Sequence, residues 1–184
     1  KGFFKRIIDQ LSYAISAFIV GFFVKSDLII ATSPQFFTAV SGYFLALFKR
    51  KPWIMEVRDL WPETIAAVNT LKRESILFKL LEFIELRLYK SSNRIIVVTD
   101  TFKKVLVDRG VLSKKIFIHK NGVDLNKFYP IKKNYNLLKK IKLDNNKIIF
   151  GYVGTLGMTH GLSFIISCMT QIKKKLPNAH FLFI

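Results

Sequence analysis

Short apolar runs recur along the chain, each opening after polar residues and closing on a turn or cap residue. They are DLIIATS (27–33), PWIMEVR (52–58), RIIVVTD (94–100), KIFIHKNG (115–122), KIIFGYVG (147–154) and HFLFI (180–184). They are continuous rather than alternating, the pattern of strands covered on both faces and hence of a parallel sheet. Between most of them apolar residues return every three or four positions, as in QFFTAVSGYFLALF and SILFKLLEFIELRLY, which is helical spacing. TFKKVLVDRG reads as a short helix closed by Gly110. Strand and helix in alternation predict a doubly wound parallel α/β sheet. Such sheets bind ligands outside the carboxyl ends of their strands. RDLWPE, which follows WIMEV, and the turns ATSP, VTD, NGVD and GTLGMTHG are therefore expected along one rim.

One stretch breaks the alternation. In NGVDLNKFYPIKKNYNLLKK, Asn121–Gly122 signals a turn, Pro130 stops regular structure and a Lys/Asn-rich patch follows. A domain boundary is expected near 129–133, giving domains 1–129 and 130–184, with one long surface loop as the alternative. Residue 1 is a Lys, and HFLFI stops inside a strand pattern, so the chain reads as a fragment. The apolar run LSYAISAFIVGFFV (11–24) is shorter than the ~20 residues a spanning helix needs. It reads as a buried helix or, with Lys5, Arg6 and Lys25 around it, as a helix lying in a membrane interface.

Composition narrows the classes. The 184 residues are 51% hydrophobic, enough for a core, and the net charge is +18 from 30 Lys and Arg against 12 Asp and Glu. Such a field attracts polyanions, although a Lys-rich solvated surface accounts for it equally well. A single cysteine, Cys168, excludes an internal disulfide framework and is read as a core residue. The three histidines are scattered, and no metal site is expected. Neither an RNP-like aromatic motif nor a helix-turn-helix pattern is present, so nucleic acid is not the expected partner. A basic α/β nucleic-acid-binding module remains the alternative.

GYVGTLGMTHGL (151–162) joins a strand to a helix. Gly154, Gly157 and Gly161 permit tight turns and close backbone approach. The helix start beyond them offers free N–H groups and a positive dipole end, which suits phosphate. The spacing is neither a Walker loop nor G-x-G-x-x-G, and a purely structural βα turn is the competing reading.

Taken together, DLIIATSPQFFTAVSGYFLA, EVRDLWPETI, LLEFIELRLYKSSNRIIVVTDTFKKVLVDRGV, KIFIHKNGVDLNKF and GYVGTLGMTHGL resemble bacterial family 4 glycosyltransferases in order and spacing. The likeness covers nearly the whole chain and is to the subgroup that builds O-antigen, capsule and related polysaccharides, including WbuB-type fucosamine transferases. It implies a GT-B fold of two Rossmann-like domains, the acceptor side first and the nucleotide-sugar side second. It implies retaining, metal-independent transfer from a nucleotide sugar, UDP-sugar above all, with no resident cofactor. It also implies a polyprenyl-diphosphate-linked or other glycan acceptor at the anionic, cytoplasmic face of the membrane. An epimerase of GT-B architecture is a second enzymatic alternative. The family's N-terminal glycine-rich loop and its C-terminal E-x7-E acids are not in this sequence, so the fragment is expected to be inactive alone.

The resemblance carries roles to individual positions. Asp59 falls where relatives place a polar pair facing the acceptor, and it is read as orienting the acceptor hydroxyl; an N-cap or an ion pair with Arg58 is the structural alternative. Arg58 is read as a contact to acceptor diphosphate. Gly154, Thr155, Gly157, His160 and Gly161 form the expected donor-phosphate loop, with Thr155 and His160 standing where many relatives carry Arg and Lys. Trp61, Glu63, Thr99, Asn121 and Gly122 are possible cleft-lining residues. Asp100 is expected to cap a helix. Glu82 and Glu85 are expected to be solvated acids pairing with Lys79, Arg87 or Lys90. His119 and His180 are read as structural.

Overall fold

A computed structural model describes residues 3–33, 36–67, 71–144, 146–157 and 160–184. They form two compact units, Lys1–Gly122 and Val123–Ile184, with the division at the NGVD turn, a little ahead of the 129–133 segment.

The first unit holds a four-stranded parallel sheet in the order β1-β2-β3-β4: β1 (Ile29–Ser33), β2 (Trp53–Val57), β3 (Arg94–Val97) and β4 (Ile116–Ile118). Helices α2 (Phe36–Lys49), α4 (Ile76–Ser91) and α5 (Asp100–Asp108) make the crossovers, with the short α3 (Glu63–Ala67) ahead of α4. Parallel neighbours need such crossovers, because a tight turn cannot join them. The core runs through Ala31, Met55, Val57, Ile95, Val97 and Ile116 of the sheet and Phe36, Ala39, Leu88, Tyr89 and Leu106 of the helices. Burial alternates along β1 and β2. The strands are parallel as expected, but one sheet face is more open than their unbroken apolar runs imply. Ile30 is exposed, while Thr32, Ile54 and Glu56 are half-buried on that face. The stepwise strand order carries each crossover in the same direction, and right-handed crossovers then fall on one side of the sheet.

Helix α1 (Phe3–Phe23) packs on α2. The buried Ser41 hydroxyl donates to the Ala14 carbonyl at 2.9 Å. The Lys49 ammonium donates to the carbonyls of Gly21, Phe22 and Val24 at 3.2, 2.9 and 2.6 Å, satisfying the end of α1 with a cation at the negative end of its dipole. Gly42 sets how close α2 comes to the sheet: a Cβ there would lie 2.4 Å from the Ala31 Cβ. The outer faces of α1 and α2 leave Ile8, Ile15, Ile19, Phe23, Leu47 and Phe48 exposed. Among the described residues no helix is long and apolar enough to cross a membrane.

The second unit contains α6 (Tyr135–Lys140), β5 (Ile148–Tyr152), α7 (Leu162–Lys175) and β6 (Ala179–Phe183). Strands β5 and β6 pair in parallel, with Phe150 stacked beside Phe181 at 5.2 Å. Helix α6 lies within the Lys/Asn-rich patch, for which the sequence reading names no element. Asn134 caps it, its side chain accepting from the Leu137 N–H. Cys168, expected in a core, is half-buried on α7.

Candidate functional site

The strand order brings the carboxyl ends of β1 to β4 to one edge of the first unit. Arg58 leaves β2 with its N–H on the Ser33 carbonyl at 3.3 Å, and His119 leaves β4 with its N–H on the Val97 carbonyl at 2.8 Å. The Ser33 hydroxyl reaches the Asp59 carbonyl at 3.4 Å. The two Ser33 ties hold the start of the RDLWPE segment across the ends of β1 and β2.

A line of polar groups crosses the edge. Thr32 and Glu56 are direct partners in the β1–β2 register, and the Thr32 hydroxyl donates to Glu56 Oε2 at 2.7 Å. The other carboxylate oxygen lies 3.9 Å from Arg58 Nη1. Arg58 Nη2 donates to Asn121 Oδ1 at 3.4 Å. Arg58 thus pairs with Glu56, not with Asp59. Two separately predicted residues, Arg58 and Asn121, are brought together, and Glu56, which the sequence does not single out, joins them. Its signal is a charge at an even position of WIMEV, on the face shared with Ile54. The half-buried Asp59 carboxylate makes no hydrogen bond or ion pair with the described residues. Gly122, at the end of the unit, is exposed, and a Cβ there would meet open space.

The remaining residues of this group are engaged in holding the edge. Trp61 stacks on Phe36, ring centres 5.9 Å apart, and Pro62 is fully buried. Thr99 caps α5 by accepting from the Phe102 N–H at 3.1 Å. Asp100, expected as the cap, instead lies in the first turn and pairs with Lys120 at 3.3 Å. A hydroxyl in extended backbone geometry one residue earlier takes the role.

Behind this edge is an ionic cluster that corrects the reading of Glu82 and Glu85 as solvated acids. Arg109, the residue that ends α5, faces Glu85 at 2.9 Å, Glu82 at 3.3 Å and Glu63 at 3.7 Å. Glu85 is 1% exposed and accepts from the Tyr89 hydroxyl at 2.5 Å. Burial pushes the Glu85 carboxyl up to about 7, and the charge of Glu63 adds to the rise, against the Tyr89 hydrogen bond and Arg109. Burial, and then the Glu85 charge, raise the Tyr89 hydroxyl well above its ordinary range. Burial works against the Arg109 charge, yet Glu85 and Glu63 outweigh it and hold the guanidinium above its ordinary value. Glu63 Oε2 and Glu85 Oε2 both face Arg109 Nη1, and these three buried atoms make no aligned hydrogen bond.

The second unit carries the glycine loop. Beyond β5, the Gly154 N–H continues the pairing onto the Ile184 carbonyl at 3.0 Å. The Tyr152 hydroxyl pins the Thr155 carbonyl at 2.9 Å. A Cβ on Gly157 would press on His160 Nδ1 at 3.2 Å, and the His160 N–H returns to the Gly157 carbonyl at 3.1 Å. The His160 ring meets Tyr152 edge-on, centres 6.3 Å apart. Gly161 starts α7 in the left-handed conformation, φ 60°, with no side-chain cap on the helix, so the helix start presents backbone N–H groups and the positive dipole end. Thr155 and His160 are exposed beside it. Leu156, Gly157, Leu162, Ser163, Ile166 and Phe183 line an open groove of about 470 Å³. The arrangement suits an anion with an apolar or planar appendage.

No protein-family model matches the chain. It is 23% identical over 132 residues to a protein described as "Probable glycosyltransferase WbjE", from Pseudomonas aeruginosa, covering 72% of this chain and 32% of that relative. Its structure is similar to that of Anabaena Alr3699/HepE solved with UDP and glucose (TM-score 0.68, 14% identity, 92% of this chain and 42% of that one). It is also similar to sucrose-phosphate synthase from Thermosynechococcus elongatus (TM-score 0.68, 17% identity, 97% and 42%). The chain therefore spans about a third of the curated relative's length and less than half that of the solved proteins. The fold is thereby established as α/β with parallel sheets, corresponding to part of the GT-B architecture.

Proposed function

We propose that these residues belong to a glycosyltransferase that moves a sugar from a nucleotide donor, UDP-sugar foremost, to a glycan acceptor. The observation that carries this reading is the loop from Gly154 to Gly161: it follows a parallel strand and opens an uncapped helix, in a chain similar to glycosyltransferases in sequence and fold. The second unit takes the donor. Backbone N–H groups at the start of α7 face the diphosphate, with Thr155 and His160 adding hydrogen bonds. The first unit takes the acceptor. Asp59 orients the acceptor hydroxyl, and Arg58, held by Glu56 and Asn121, meets an acceptor diphosphate. The acceptor oxygen bonds to the anomeric carbon as the bond to the nucleotide phosphate breaks, and that phosphate receives the acceptor proton. The reading includes family 4 membership, retention and a metal-independent reaction.

In this reading the acceptor is polyprenyl-diphosphate-linked, in cell-surface polysaccharide or O-antigen assembly at the cytoplasmic face of the membrane. Support comes from the exposed apolar faces of α1 and α2, with Lys5 and Lys25 nearby. Titration of the isotopically labelled chain with UDP tests the donor half. Amide shifts confined to the loop from Gly154 to Gly161 and the first turn of α7 are expected. Shifts that fall elsewhere, or none at millimolar UDP, would overturn it.

A further inference from the structure

The cluster behind the strand-end edge offers more than stability. RDLWPE is held at one end by Ser33 on the Asp59 carbonyl and in the middle by Trp61 on Phe36. At its far end Glu63 meets Arg109. We propose that Arg109 is a positioning residue for the Arg58–Asp59 site, acting through Glu63, and that a proton on Glu85 sets the strength of its hold. The inference rests on the function proposed above only in naming what the loop positions.

Three carboxylates compete for one cation. Arg109 is shared by Glu63 on α3 and by Glu82 and Glu85 on α4. Among the described residues, Tyr89 on α4 completes the titratable groups in contact with Glu85. The Lys115 ammonium, on the turn before β4, binds the Tyr89 and Lys90 carbonyls. With Glu85 protonated, Arg109 is left to Glu63 and Glu82, and α3 is drawn onto α4 and the end of α5. With Glu85 ionised, its carboxylate claims the guanidinium at 2.9 Å. It also repels Glu63 across a poorly solvated gap, where charges interact more strongly than in water. The coupling is reciprocal: the Glu63–Arg109 contact favours the proton as much as the proton favours the contact. The value of about 7 for Glu85 places the exchange within the range of ordinary cytoplasmic pH.

Trp61 lies between the two ends of the segment and serves as the reporter; the other tryptophan, Trp53, is buried in β2. The 184-residue chain is labelled with 5-fluorotryptophan and its fluorine spectrum is followed from pH 5.5 to 8.5. The Trp61 resonance is expected to shift with a single midpoint near neutrality while Trp53 stays fixed. Glu85→Gln, which keeps the shape and the Tyr89 hydrogen bond, is expected to abolish the transition, and so is Glu63→Gln. Arg109→Lys keeps a cation at the position and is expected to shrink the shift and move its midpoint. A flat Trp61 signal, a transition that survives Glu85→Gln, or equal movement of both tryptophans would overturn the proposal. The readout is independent of sugar transfer. A titrating Trp61 in a protein without transferase activity would refute the proposed function and leave the clamp. A flat Trp61 in an active transferase would do the opposite.

Discussion

Glu85 and Arg109 meet at 2.9 Å behind the sheet edge, joining the middle of α4 to the end of α5. The contact sets a buried carboxyl against a guanidinium in an almost sealed site. Its first consequence is a dependence of stability on pH. The folded chain holds the Glu85 proton up to about pH 7, whereas the ordinary carboxyl loses it near 4.5. Between these values the native state binds more protons than the unfolded state, so stability falls as pH rises through this window. The difference amounts to about 3 kcal/mol at most, at 1.36 kcal/mol per pH unit. Urea denaturation at pH 5 and pH 8 should show this decline, and Glu85→Gln should remove most of it. A Glu85→Gln variant with the wild-type pH dependence would contradict the burial of this carboxyl.

Gly42 is expected to resist even alanine. Helix propensity favours Gly→Ala by about 1 kcal/mol in a helix interior. Here the new Cβ would stand 2.4 Å from the Ala31 Cβ, on a strand of the core, and overpacking of this kind costs about 1–3 kcal/mol or more. The clash should win. Thermal melts should show Gly42→Ala less stable than the parent, and a gain in stability would mean that α2 does not lie so close to β1.

On the proposed function, the strand-end residues are expected to separate into chemistry and scaffold. In a protein of the relatives' length containing these residues, Asp59→Asn is expected to lower kcat by about 2–4 orders of magnitude. Donor affinity and melting temperature should stay nearly unchanged. Arg58→Ala should raise the acceptor KM most, and its stability cost should be below about 1 kcal/mol, because its ion pair with Glu56 is half-exposed. Near-wild-type kcat in Asp59→Asn would remove that residue from the site.

The apolar outer faces of α1 and α2 predict adsorption to anionic vesicles that weakens with salt. Each basic residue near the surface contributes about 1 kcal/mol. Sedimentation with phosphatidylglycerol-containing and neutral vesicles checks it. Equal binding to both, unaffected by salt, would contradict the electrostatic part.

Much of the fold was legible in the sequence. All six apolar runs become strands, because a run of four to eight apolar residues between turn signals has few other ways to be buried. Their pairing in parallel was legible from the helical segments between them. The cluster was not legible. Glu82 and Glu85 sit in a helix beside Lys79, Arg87 and Lys90, and local spacing favours solvated pairs. Only the approach of α5 to α4 brings in Arg109, 24 positions from Glu85 along the chain. Glu56 was hidden likewise, since its partners Thr32 and Arg58 are set by strand register and by the turn after β2. At Thr99 and Asp100 either side chain could cap a helix, and backbone geometry one residue apart decided between them.

Sugar transfer itself is the most direct test. A protein of the relatives' length containing this chain would be incubated with sugar-labelled UDP-sugars and a membrane lipid extract, and the products separated by solvent partition. The account predicts label in the lipid phase, joined in the anomeric configuration of the donor, and its loss in Asp59→Asn. Free labelled sugar alone, an epimerised nucleotide sugar, or an unchanged donor across the set of UDP-sugars would contradict it.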